Sequence, residues 1–130
     1  MISLWPMRAV VFAAVGLVLA GPVAAQAAGA SYVRDPMTNK LHQRPSKIFF
    51  RDADLTSLSW RHWGWSRAIA RGRVSVLICD PNCAAGHRVN RSVRVVVSRR
   101  KTENGKRVYQ CIRGTVSGVP RAYSRISWQC

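Results

Sequence analysis

From Lys47 onward, short runs rich in Val, Ile, Phe, Thr and Trp alternate with Gly, Pro, Asn and Asp. That rhythm of β-branched and aromatic runs between turn residues is the mark of an all-β domain. No stretch there keeps apolar residues at i, i+3, i+4 and i+7 for three turns, so strands are expected over helices. The expected strands are Lys47–Arg51, Leu55–Trp63, Arg67–Ala70, Arg73–Cys79, Arg91–Arg100, Arg107–Val116 and Ser124–Gln129. They predict a small single-domain sandwich or barrel over residues 47–130, with a β-hairpin near its C-terminus.

That hairpin is the best-specified element. Asn104-Gly105 accepts the positive φ angles of a two-residue type I′ turn. Centring the turn there pairs Glu103 with Lys106 and fixes the register. Val97 then faces Ile112, Val95 faces Gly114 and Val93 faces Val116, which makes one face a core face. The opposite face carries Arg94, Val96, Ser98 and Arg100 from one strand and Tyr109, Cys111 and Arg113 from the other. A one-residue slip would scatter the valines.

The N-terminal part reads differently. Arg8 precedes an apolar run from Ala9 to Ala20, Gly21-Pro22 breaks it, and Ala25-Gln26-Ala27 offers small residues to a signal peptidase. Twelve residues of helix cover roughly 18 Å, short of a hydrocarbon core of about 30 Å. Residues 1–27 are therefore expected to be a cleaved secretory signal that leaves no stable membrane anchor, with no cysteine nearby for a lipid. Residues 28–46, polar and carrying two prolines, read as a flexible lead-in.

Export changes the reading of the cysteines. All four, Cys79, Cys83, Cys111 and Cys130, lie beyond the signal. Four cysteines permit three connectivities, and Cys79–Cys83 with Cys111–Cys130 is preferred because each bond closes a loop near in sequence. On a chain-entropy estimate the two are worth about 2 and about 3 kcal/mol. The alternative makes Cys79, Cys83 and His87 zinc ligands with Cys111 as the fourth. An oxidising compartment favours the disulfides.

Charge adds a surface. The formal net charge is +16, and 17 of the 21 basic residues are arginine. Loss of Arg8 with the signal leaves 20 basic against 5 acidic side chains, a net +15. Guanidinium forks match phosphate, sulfate and carboxylate bidentately, so an acidic polymer is a sensible partner. The run Trp60-Arg61-His62-Trp63-Gly64-Trp65 interleaves aromatic and basic groups. On a strand, Trp63 and Trp65 would share one face, available either to stack on sugars or bases or to fill a small core.

Trp60-x-x-Trp63-Gly64, then Ala68 and Gly72, then Cys79-x-Pro81-x-Cys83-Ala84-x-Gly86 resembles a family of small secreted actinobacterial proteins. In that family a signal peptide is followed by a W-x-x-W-G … A-x-G-x-G … C-x-P-x-C-A-x-G pattern. The likeness covers residues 55–98, with Ala70 standing where the pattern has its first glycine. It implies an exported β-rich domain with a tight Cys79–Cys83 bridge, and it implies no activity.

A small cationic secreted protein invites comparison with ribonucleases, which need a general base and acid flanking a phosphate-binding arginine. Beyond the signal the histidines are His42, His62 and His87, and the acids are Asp35, Asp52, Asp54, Asp80 and Glu103. Only His62, His87 and Glu103 could serve, and Glu103 beside Lys101 and Lys106 reads as a solvated ion pair. Asp52-x-Asp54 could hold a divalent cation, a weak signal. No G-x-S-x-G, H-E-x-x-H, Walker or Rossmann pattern is present. The sequence thus assigns no catalytic residue, no cofactor and no metal. The expected role is a secreted binding module for anionic surfaces or polymers: nucleic acid, cell-wall polymer or acidic polysaccharide. Its face would be Arg94, Arg100 and Arg113 with Tyr109 between them, extended by Arg99 and Lys101. The alternatives are a nuclease-like hydrolase using His62 or His87, and a toxin-like or antimicrobial cation.

Overall fold

Alternating burial in the central strands shows why this chain forms a sheet with one wet face. In the computed structural model, which describes residues 30–130 and otherwise only Gly16, Val93, Val95 and Val97 are buried while Ser92, Arg94 and Val96 are not. Apart from Gly16, the expected signal segment, residues 1–27, falls outside the described residues. Eight strands are present among the described residues: β1 (Ser31–Arg34), β2 (Leu41–His42), β3 (Ile48–Phe49), β4 (Ala53–Arg61), β5 (Arg67–Ile78), β6 (His87–Glu103), β7 (Lys106–Val116) and β8 (Arg125–Trp128). A short 3₁₀ turn over Arg121–Tyr123 leads into β8. The described residues form an all-β fold, as expected.

The hairpin forms in the expected register. Val97 faces Ile112, Val95 faces Gly114, Val93 faces Val116, and Glu103 faces Lys106 across the turn. Asn104 and Gly105 sit at φ 48° and 76°. A Cβ added at Gly105 would meet nothing within 4 Å, so a substitution there is strained by backbone conformation alone. Gly105→Val should lower stability by about 1–2 kcal/mol, read as a drop in melting temperature.

Two of the expected strands, Arg67–Ala70 and Arg73–Cys79, are one. β5 runs unbroken through Gly72 because the kink is taken up by its neighbour. β4 carries a bulge between Thr56 and Ser59, with Ser57 at φ 53°. The bulge presses backbone against β5: a Cβ at Gly72 would lie 2.6 Å from the Thr56 carbonyl oxygen. Glycine is there for close approach, not for a turn.

The strand order is β2-β1-β7-β6-β5-β4-β3. β7 uses one edge twice: Arg107–Tyr109 pairs in parallel with β1, and Ile112–Thr115 pairs antiparallel with β8. Laid flat, the two outermost strands would sit about 29 Å apart at ~4.8 Å per gap. Yet β2 and β3 are joined only by residues 43–47, and so short a span reaches at most about 21 Å. The sheet must curl, and it does so into a half-barrel around one core. Leu55, Val95, Val97, Tyr109 and Ile112 are fully buried there, each aliphatic contributing about 1.5–3 kcal/mol of burial.

The lead-in is the main correction to the sequence reading. Residues 31–34 and 41–42 are strands, not a flexible tail, and Val33 is buried in the core. Trp63 Nε1 donates to the Ser31 carbonyl at 3.0 Å, and Trp60 Nε1 donates to the Pro45 carbonyl at 2.7 Å. Asp35 stitches the seam between the sheet edges. One carboxylate oxygen accepts the Met37 and Thr38 amides, each at 2.9 Å, and the other accepts the Phe49 amide of β3 at 3.1 Å. Burial opposes ionisation of Asp35, but those three amides outweigh it and hold the carboxyl below its ordinary value.

The cysteines pair as preferred, Cys79 with Cys83 and Cys111 with Cys130. Cys111 is thereby closed over on the outer face, and the C-terminal residue is pinned to the edge of β7. The zinc-ligand alternative for the same thiols is not the arrangement found.

Candidate functional site

Strand register sorts the outward side chains of β4 to β8 into rows. One row runs Ser59, Arg71, Arg94, Thr115, Arg125. The next runs Arg61, Ile69, Val96, Arg113, Ser127. Arg67 caps a third row beside Ser98 and Cys111, and Arg73 opens another beside Ser92. All seven of these arginines are exposed. Successive rows lie roughly 7 Å apart along a strand and neighbours in a row about 5 Å apart. The result is a lattice of guanidinium groups on the convex face.

Three shallow depressions adjoin on that face. One of about 390 Å³ is lined by Arg67, Arg94, Arg99 and Arg113 around a floor of Val96 and Ser98. A second, about 440 Å³, shares Arg94 and Thr115 with it and adds Arg71. The third, about 540 Å³, shares Arg113 and Thr115 and adds Arg125. Their shared residues make them one continuous arginine-lined surface.

The electrostatics of the lattice are unbalanced. Arg71 stands directly opposite Arg94 in the β5–β6 ladder, and like charges in that position are destabilising. The acid that falls on this face, Asp54, lies 3.6 Å from Arg88 near the far end of the sheet. The other ion pair among the described residues joins Arg34 to Glu103 at 2.6 Å. None of the seven lattice arginines has a carboxylate partner among the described residues.

The residues singled out from sequence divide between two places. Arg94, Arg99 and Arg113 line the same depression, and Lys101 is exposed on the hairpin. Tyr109 and Arg100 are not on that face. Arg99 takes φ 57° and breaks the alternation of β6, so the Arg100–Tyr109 pair turns toward the core and Tyr109 is fully buried. The Tyr109 hydroxyl donates to the Trp65 carbonyl at 2.5 Å and accepts the Gly64 amide at 3.0 Å. Arg100 donates to the Gly64 carbonyl. Burial pushes the Tyr109 phenol above its ordinary value, against the opposing pull of the Gly64 amide and the Arg100 charge. These two residues hold the β4–β5 turn.

That turn splits the tryptophans. β4 ends at Arg61, and His62 and Gly64 adopt φ 59° and 89°. Trp60 and Trp63 pack edge to face, centroids 4.9 Å apart, against the core. Trp65 is turned outward, 65% exposed, with the His62 ring tilted against it, centroids 4.5 Å apart. The expectation that Trp63 and Trp65 share a face is thus overturned by the turn.

The residues of a ribonuclease-like site are not assembled. Arg61, beside His62, is level with Ile69 of β5, whereas His87 is level with Ile78. That separation along the strand is roughly 30 Å. Glu103 is engaged by Arg34, and Asp54 lies 3.6 Å from Arg88. No protein-family model, no curated protein and no solved structure matches the chain.

Proposed function

We propose that the protein is exported and oxidised, and that it binds a linear polyanion across the convex face of β4 to β8. The observation that carries this reading is the Arg71–Arg94 row within a lattice of arginines that have no carboxylate partner among the described residues. A fold does not need seven guanidinium groups crowded on one face, and the crowding costs stability when nothing anionic covers it. A chain of phosphate, sulfate or carboxylate groups supplies the missing counter-charge at a repeat comparable to the row spacing. The two disulfides accord with folding outside the reducing cytosol.

Titrating the protein lacking residues 1–27 with a DNA duplex and with inorganic polyphosphate tests the reading. Affinity should fall steeply with salt, with log K against log salt sloping by about 0.9 per duplex phosphate met. Binding that is absent, or indifferent to salt, would rule it out.

A further inference from the structure

The arginine lattice accounts for an acidic partner but not for Trp65. Tryptophan bodies are ordinarily buried, and Trp60 and Trp63 conform by packing against the core. Trp65, two residues before Arg67 of the lattice, is 65% exposed instead. Its exposure is not the looseness of a floppy turn. The Trp65 carbonyl is held by Tyr109, a fully buried side chain, the preceding Gly64 is held on both its amide and its carbonyl, and the Trp65 amide donates to the His62 carbonyl at 3.0 Å. His62 lies against the indole at a 40° tilt, and a positive φ at His62 sets it there. The turn joins its strands just past Arg61 and Arg67, so this fixed aromatic surface stands at the edge of the guanidinium rows.

From this juxtaposition we infer that the Trp65–His62 pair is a stacking platform for an unpaired base, and that the polyanion is single-stranded nucleic acid. The inference rests on the polyanion reading above and narrows it. Among the polyanions considered, a nucleic acid strand carries flat aromatic rings at the same repeat as its charges, and an unpaired strand leaves their faces open. A duplex hides those faces in its own stack. Insertion into an anionic membrane would call for a cluster of exposed apolar side chains, and Trp65 is the one large exposed hydrophobe of its turn, the others being Met37 and Phe49 at the β1–β3 side.

The probes are an oligothymidylate, a duplex, inorganic polyphosphate and vesicles of anionic phospholipid, each titrated against wild type, Trp65→Ala and Trp65→Phe. Trp65→Ala should weaken oligothymidylate binding by roughly 5- to 150-fold, the worth of one stacked base. Its salt slope, its affinity for polyphosphate and its melting temperature should stay as in wild type, because Tyr109 is held by the backbone of residue 65. Trp65→Phe should restore part of the loss. Unchanged oligothymidylate affinity, an equal loss toward polyphosphate, or a loss confined to vesicles would overturn the platform. If salt-dependent polyphosphate binding survives that result, the arginine face stands and only the stacking fails. If wild type binds no polyanion at all, both fall.

Discussion

Replacing Asp35 with asparagine should cost about 2–4 kcal/mol of stability at neutral pH. The carboxylate accepts three backbone amides from both sides of the seam, and hydrogen bonds to a charged acceptor are worth about 1.5–3 kcal/mol each. An asparagine carbonyl can keep Met37 and Thr38, but its amide group would confront the part-buried Phe49 N–H and cost it its partner. The pH dependence has a definite sign. The folded carboxyl titrates below the ordinary carboxylate range, so its contribution is complete above that range and is lost as the pH falls through the lower folded value. Wild type should therefore lose melting temperature on acidification below about pH 4, while the asparagine variant should show a flatter profile. Equal melting temperatures at pH 7 would mean that the seam does not depend on Asp35.

Exchanging Arg67, Arg94 and Arg113 for glutamine together should weaken duplex binding by on the order of 10²-fold at 0.1 M salt and flatten the salt slope by about three units. These residues line one depression and point away from the valine core. Removing Arg94 also relieves its repulsion with Arg71, so the melting temperature should hold or rise at low salt. Arg100→Gln should behave oppositely. It removes the donor to the Gly64 carbonyl and should lower stability, with less effect on the salt slope. Circular dichroism melts alongside the titrations separate the two cases.

Much of the fold was legible because several local signals agreed. The Asn104-Gly105 turn and the valine alternation independently demanded one register, and that register is present. Both disulfides followed from compartment and loop length. β1 escaped notice because a four-residue strand of mixed polarity has no periodicity of its own; its burial comes from parallel pairing with β7, far along the chain. Tyr109 was misplaced because nothing in the residue type of Arg99 announces a positive φ. The hairpin alone brought Arg94 and Arg113 together. The contribution of Arg61, Arg67, Arg71 and Arg125 depends on registers that no short turn motif fixes, the β5–β6 connection being a disulfide-bridged loop over residues 79–86. Trp65 carried a visible signal, but whether an aromatic is packed or displayed is decided by a turn and by its buried anchors.

Position, rather than total charge, is what the proposed face requires. The most direct test compares two variants of identical net charge: Arg67, Arg94 and Arg113 to glutamine, against Lys40, Arg51 and Arg121 to glutamine. All six residues are exposed, and the second set lies outside the lattice rows. Measured as log K against log salt with one polyanion, the first variant should lose about three units of slope and the second should keep nearly the wild-type slope. Equal losses in the two variants would show that the protein binds through its overall charge and has no dedicated face.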